Sequence, residues 1–195
     1  MMVKVCGITN REDAEAAIEA GVSALGFNFW TGSPRYVHAE TAGSLVECVP
    51  EGVLKVGLFV NADAVEVAEV AARLGLDVVQ LHGEAEAPAG LRVWRAVAVK
   101  DGFRAEHLGD QAAEAFLLDA PAGERHGGTG KTFEWKLVQA TGRRIIVAGG
   151  LDASNVREAI AVVQPWGVDA CSRLESAPGR KDHAKMREFI KAAVS

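Results

Sequence analysis

The chain predicts an α/β fold: a single-domain (β/α)8 TIM barrel, compact and with short loops, spanning residues 1–195. Three observations predict it. Short apolar, β-branched runs recur eight times, helical patterns fill most of the intervals between them, and polar or glycine-rich residues cluster just after the runs. Near-continuous hydrophobicity, rather than strict alternation, marks strands covered on both faces, as in parallel sheets. Strand and helix alternating eight times leave either a closed barrel or a long open doubly wound sheet. The polar clusters decide for the barrel, because a barrel builds its site at the carboxyl ends of its strands. No Gly-x-Gly-x-x-Gly follows the first strand, which disfavours a dinucleotide fold.

In chain order, "VKVCGIT" (3–9) is the first strand. "REDAEAAIEAG" (11–21) follows as a helix with an acidic first turn and a glycine stop at Gly21. Strands two and three are "ALGFNFW" (24–30) and "LKVGLFV" (54–60), and "NADAVEVAEVAARLG" (61–75) is a helix ending on Gly75. "VVQLHG" (78–83), "VWRAVAV" (93–99) and "AFLLDA" (115–120) are strands four to six; the connections after four and five carry only weak helical signals. "RIIVAGG" (144–150) is strand seven. "DASNVREAIAVV" (152–163) then opens a helix with Asp152 and Ser154 as candidate N-caps. "GVDACS" (167–172) is strand eight, and "DHAKMREFIKAAV" (182–194) is the last helix. No half-to-half repeat or low-complexity linker divides the chain.

Composition narrows the function. Hydrophobic residues make up 49% and charged residues 24% of the chain, which is ordinary globular composition. A net charge of −5 offers no basic field, so no nucleic-acid partner is expected. No apolar run approaches a membrane span, and "MMVKVCGITN" lacks the long apolar core of a signal peptide; the expectation is a cytoplasmic protein with no membrane partner. Cys6, Cys48 and Cys171 are too few and too scattered for a disulfide framework, and no zinc-ligand spacing is present, so no metal is expected.

The run "GERHGGTGKT" (123–132) resembles the end of a P-loop, but Arg125 stands where the motif needs its first glycine. Its glycines fit another use. Together with "VAGGL" and "CSRLE" they follow strands six, seven and eight, and phosphate sites in this fold are frequently built after strands seven and eight. Glycine lets backbone N–H groups approach phosphate oxygens with no Cβ in the way.

The polar residues near strand ends are Cys6, Asn28, Asn61, Gln80, His82, Asp119, Asp169 and Ser172, with Arg35 in the loop after strand two. Cys6 is either a small buried hydrophobe or a thiolate base; Lys4, two residues away, shares its face and would favour the thiolate. Asp119 ends the most apolar strand, as a helix cap or as a carboxyl kept protonated by a dry site. Asp169 reads as a structural ion-pair partner. Arg35 is a solvated loop residue or a two-pronged clamp for a carboxylate. His82 is a core histidine or a hydrogen-bonding partner of a substrate.

Together these residues resemble a known family. "KVCGIT" (4–9), "ALGFNFW…SPRYV" (24–37), "VGLFVN" (56–61), "VVQLHGE" (78–84), "LLDA" (117–120), "GGTGKTFEW" (127–135), "AGGLDASNV" (148–156) and "APGRKDHAKMREFI" (177–190) occur in the order seen in phosphoribosylanthranilate isomerases of tryptophan biosynthesis. The resemblance covers essentially the whole chain. It implies an Amadori rearrangement of N-(5′-phosphoribosyl)anthranilate without a cofactor, on a small phosphosugar–anthranilate substrate, in a monomer or homodimer. It implies Cys6 as general base, Asp119 as general acid and Arg35 on the anthranilate carboxylate. Gln80 and His82 are expected at the substrate, and Gly128, Gly130, Gly149, Gly150, Ser172 and Arg173 at the phosphate.

There is one departure. Where the family usually reads Ser-Ser-Gly-Val-Glu after strand eight, this chain has Cys171-Ser172-Arg173-Leu174-Glu175. Arg173 is expected to add a phosphate contact or to pair with Glu175, on a backbone with negative φ or in a reshaped loop. The alternatives are the sister isomerase of histidine biosynthesis, which carries an aspartate in place of Cys6, and a non-catalytic phosphosugar-binding barrel.

Overall fold

A computed structural model describes residues 1–84, 86–109, 113–121, 132–139 and 141–195. Eight parallel strands form one closed ring: β1 (Met2–Cys6), β2 (Ala24–Asn28), β3 (Leu54–Val60), β4 (Val78–His82), β5 (Val93–Ala98), β6 (Ala115–Asp119), β7 (Ile145–Val147) and β8 (Gly167–Ala170). Closure occurs at β1, which pairs with β2 through Cys6↔Gly26 and with β8 through Lys4↔Asp169. Among the described residues five helices accompany the ring: α1 (Arg11–Glu19), α2 (Gly43–Glu47), α3 (Ala64–Leu74), α4 (Val156–Val163) and α5 (His183–Val194).

Each strand has two jobs because successive side chains point to opposite faces. Val3, Val5, Leu25, Phe27, Phe116, Leu118 and Val168 face outward into the helix-covered core. The alternate positions face the barrel axis. Met2, Ala24, Val56, Val78, Trp94, Ala115, Leu117 and Ile146 pack together there as an apolar floor. Trp94 is fully buried and meets Trp166 edge-on, with ring centroids 5.7 Å apart. Truncating such a side chain to alanine costs about 3–5 kcal/mol, since the cavity it leaves cannot close. The floor fills the lower barrel, so polar chemistry is confined to the mouth.

The helices begin where local chemistry dictates. Asn10 caps α1 by accepting from the Asp13 N–H, Asp63 caps α3 through Val65, and Asp182 caps α5 through Ala184 and Lys185. Gly75 ends α3 in the left-handed region, at φ +59°.

Several expectations shift. Strand one stops at Cys6 because Gly7 turns the chain at φ +73°, and strand seven stops at Val147, before Gly149 and Gly150 at φ +83° and +62°. The helix expected from Asp152 begins instead at Val156: Asp152 accepts from the Ser154 N–H and closes a turn, and Asn155 makes no side-chain cap. The short α2 carried no sequence signal. Among the described residues β5 is followed by only a short 3-10 turn, Ala105–Leu108, as its weak helical pattern suggested. After β8 the chain makes a 3-10 turn (Ser172–Leu174) and then an antiparallel hairpin of β9 (Glu175–Ala177) and β10 (Arg180–Lys181). Pro178-Gly179, a dipeptide that favours turns, lies at its tip.

Candidate active site

A cavity opens at the carboxyl ends of the strands. Its walls include Cys6, Asn28, Arg35, Gln80, His82 and Asp119, with Asp169 and Cys171. The strand residues among these share the inward parity, so the pleat that buries the outward set aims this set at the cavity. The structure therefore brings together both residues expected to be catalytic and all three expected at the substrate.

Charge is arranged in a layer beneath the mouth. Lys4 is fully buried two residues below Cys6, and its Nζ lies 2.8 Å from Asp169 Oδ1. The structural ion pair expected of Asp169 is thus made with Lys4. Burial disfavours the lysine charge, yet Asp169 and the Cys6 thiolate raise its pKa above the ordinary lysine value, so it stays an ammonium. Cys6 itself is held well below the usual thiol range, first by a hydrogen bond from the Cys171 thiol and then by Lys4 and Lys181, against the cost of burial. Cys171 is pushed well up by the same interaction, which keeps it the donor. Gly26 leaves room for the sulfur: a Cβ there would stand 2.8 Å from Cys6 Sγ.

Asp119 has the opposite balance. Burial pushes its carboxyl up to about 6, with the Cys6 thiolate adding to the effect and the Ala120 N–H opposing it. Two titratable groups on one cavity are thus shifted in opposite directions from their ordinary values, Cys6 toward the thiolate and Asp119 toward the neutral acid. Opposed shifts of this kind mark a site where proton-transfer chemistry is placed.

Arg35 is a fork already half engaged. Its Nε and Nη2 donate to the two carboxylate oxygens of Glu175, at 2.8 and 2.7 Å. Lys181 Nζ reaches the same carboxylate at 3.1 Å and the Cys171 carbonyl at 3.2 Å. Gly7 permits the fork's approach, since a Cβ there would meet Arg35 Cδ at 2.7 Å. On β4, Gln80 Nε2 and His82 Nε2 are 2.8 Å apart, while the buried Gln80 Oε1 has no hydrogen-bond partner among the described residues. An unmet acceptor in a polar cavity is a place for a ligand donor.

The profile of the family described as N-(5′-phosphoribosyl)anthranilate isomerase matches residues 3–192. A Solibacter usitatus protein named N-(5′-phosphoribosyl)anthranilate isomerase is 50% identical over 196 residues, covering 99% of this chain and 97% of its own. The chain belongs to this family. It is therefore an isomerase. Two crystal structures agree. A phosphoribosylanthranilate isomerase from Thermotoga maritima superposes with a TM-score of 0.88 at 38% identity, covering all of this chain and 98% of that one. A second phosphoribosylanthranilate isomerase, in complex with reduced 1-(o-carboxyphenylamino)-1-deoxyribulose 5-phosphate, superposes with a TM-score of 0.84 at 35% identity and covers the same shares.

For a phosphoribosylanthranilate isomerase the remaining question is the phosphate edge. Gly128 and Gly130 lie outside the described residues. Gly149 and Gly150 hold consecutive positive φ values that residues with a Cβ rarely adopt, and Asn155 Nδ2 donates to the Gly150 carbonyl at 2.9 Å. Ser172 and Arg173 line a surface cavity with Asp152 and Ser154. Arg173 does not pair with Glu175, whose carboxylate is taken by Arg35 and Lys181. Instead its Nε lies 2.8 Å from Asp152 Oδ2, which ties the loop after β8 to the loop after β7. Its φ is not positive, so the family's usual glycine is replaced without backbone strain.

Lys181 is the residue that the sequence reading missed. Only the distant fold places it: Asp13 on α1 accepts from the Lys181 N–H at 2.8 Å and stands 2.8 Å from His183 Nε2, pinning the end of the hairpin over the mouth. A buried acid in the first turn of a helix reads in sequence as a response to the helix dipole, and nothing local names its partner.

Proposed function

We propose that the barrel converts N-(5′-phosphoribosyl)anthranilate to 1-(2-carboxyphenylamino)-1-deoxyribulose 5-phosphate, a step of tryptophan biosynthesis carried out in the cytoplasm. The single observation that carries the residue assignment is the opposed titration of Cys6 and Asp119 on one cavity. Asp119, whose carboxyl burial pushes up to about 6, gives its proton from the protonated form to the ribose ring oxygen as the C1′–O bond breaks, leaving an open-chain Schiff base. The Cys6 thiolate then takes the proton from C2′, and that electron pair moves to form the C1′=C2′ bond of an enolamine. Tautomerisation of the enolamine gives the ketone.

Binding at both ends sets C2′ between these groups, and positioning of this kind supplies much of an enzymatic rate. Arg35 has five N–H donors, of which Glu175 takes two, so three remain for the anthranilate carboxylate. Glu175 thus orients the guanidinium rather than replacing the substrate. Gln80 Oε1 is the acceptor for a substrate hydroxyl or amine. Gly149, Gly150 and Ser172, with Gly128 and Gly130, would receive the phosphate, and Arg173 braces that edge through Asp152.

The test is to incubate purified protein with N-(5′-phosphoribosyl)anthranilate and follow the loss of anthranilate-type fluorescence, with the bis-phosphorylated substrate of the histidine-pathway reaction in parallel. Turnover of the first alone is expected. Absence of turnover would reduce the chain to a binding barrel, and preference for the second would reassign its pathway.

A further inference from the structure

Cys171 is a second thiol on the wall of the site, and the isomerisation described above needs only one. Its position follows from barrel closure. β1 and β8 run in register through Lys4↔Asp169 and Val5↔Ala170, and Cys6 and Cys171 are the residues that next follow on the two chains. Both have the inward parity of Lys4 and Asp169, whose side chains touch across the same strand pair. Neighbouring strands lie about 4.7–4.9 Å apart, inside the roughly 4.4–6.8 Å separation of Cα atoms that a disulfide spans. The two side chains pack in one cluster on the wall of the same cavity, and Cys171 is only half-buried.

We propose that Cys6 and Cys171 are a peroxide-oxidisable pair, closing to a disulfide across β1 and β8 that removes the Cys6 thiolate. The loss of activity that follows rests on the assignment of Cys6 as the base. The Cys6 thiolate attacks hydrogen peroxide, breaking its O–O bond, to give a sulfenic acid and hydroxide. The Cys171 sulfur then attacks the Cys6 sulfur and expels the sulfenic oxygen, which leaves as water with the thiol proton. The two thiols are oxidised by two electrons and one peroxide is reduced. The surroundings favour both steps: ammonium groups beside Cys6 stabilise its thiolate. Once Cys6 is a sulfenic acid, the charge that held Cys171 protonated is gone, and Lys181 Nζ, 3.8 Å from Cys171 Sγ, favours the attacking thiolate.

The experiment treats the purified protein with hydrogen peroxide, then maps disulfide-linked peptides by mass spectrometry and measures isomerase activity before and after dithiothreitol. A Cys6–Cys171 cross-link that forms as activity falls, and opens as activity returns, is expected. Cys171→Ser, lacking the resolving thiol, should carry oxygen on Cys6 up to the sulfinate and regain less activity. Oxygen added to Cys6 in the wild type with no cross-link, or equal recovery in both proteins, overturns the pairing and leaves Cys6 as base untouched. A cross-linked protein with full activity upholds the pairing and sinks Cys6 as the base. Mapping the wild type stands even where Cys171→Ser fails to fold.

Discussion

Lys4 Nζ sits 2.8 Å from Asp169 Oδ1, in a fully buried layer below the Cys6 thiolate. Lys4 places a positive charge under the group proposed as the base, while burial pushes the Asp169 carboxyl up to about 7. A buried ion pair adds little net stability, but breaking it strands a charge.

Lys4→Met is therefore expected to destabilise the protein by about 3–5 kcal/mol in urea unfolding, as an unpaired Asp169 remains. Lys4→Met with Asp169→Leu should recover most of that loss. In Lys4→Met the acid limb of kcat/KM should move to higher pH, because Cys6 loses a neighbouring cation while the Asp169 carboxyl remains. An unmoved limb would remove Lys4 from the control of the base.

Cys6→Ala and Asp119→Asn should each lower kcat by about 10²–10⁴-fold and leave the folded circular dichroism spectrum intact. A near-native kcat in Cys6→Ala would end its assignment as base.

Asp119 also sets a pH dependence. Its folded pKa of about 6 lies above the ordinary carboxyl value, so the folded state binds this proton more tightly than the unfolded chain. Stability from protonated Asp119 is fully present below the ordinary carboxyl pKa and is lost as pH rises through about 6. The same titration removes the general acid, so kcat/KM should fall along an alkaline limb starting near that pH. Asp119→Asn should flatten this part of the stability profile in denaturant titrations between pH 4 and 7.

Arg35→Met should raise KM well above its effect on kcat, as the carboxylate loses its fork. It should also cost stability, about 1.5–3 kcal/mol for lost hydrogen bonds to a charged group, because the Glu175 side chain is buried and keeps only Lys181 and a long hydrogen bond from the Gly179 N–H. Arg35→Lys should restore part of the stability and little of the KM, since an ammonium cannot reproduce two parallel N–H donors.

Arg173→Gly restores the family's usual residue and releases Asp152. Both partners are partly exposed, so a stability change within about 1 kcal/mol is expected. A several-fold rise in KM would mark the brace as part of the phosphate edge; an unchanged KM would confine Arg173 to the surface.

The eight strands, four of the five helices and the inward aim of Cys6 and Asp119 were legible in the sequence because each depends on local pattern. Apolar runs, period-two alternation and cap residues act over a few positions, and they place polar residues at strand ends whatever the rest of the chain does. The partners of those residues depend on closure. Lys4 meets Asp169 across 165 positions and Arg35 meets Glu175 across 140, and which charge faces which is set by the register of β1 on β8 and by the hairpin folded over the mouth. Arg173 finds Asp152 rather than Glu175 for the same reason: Arg35 and Lys181 already occupy that carboxylate. The sequence by itself determined the barrel and the identities of base and acid candidates. Only the tertiary structure decided their protonation, because a pKa follows from burial and from charges that arrive from distant segments.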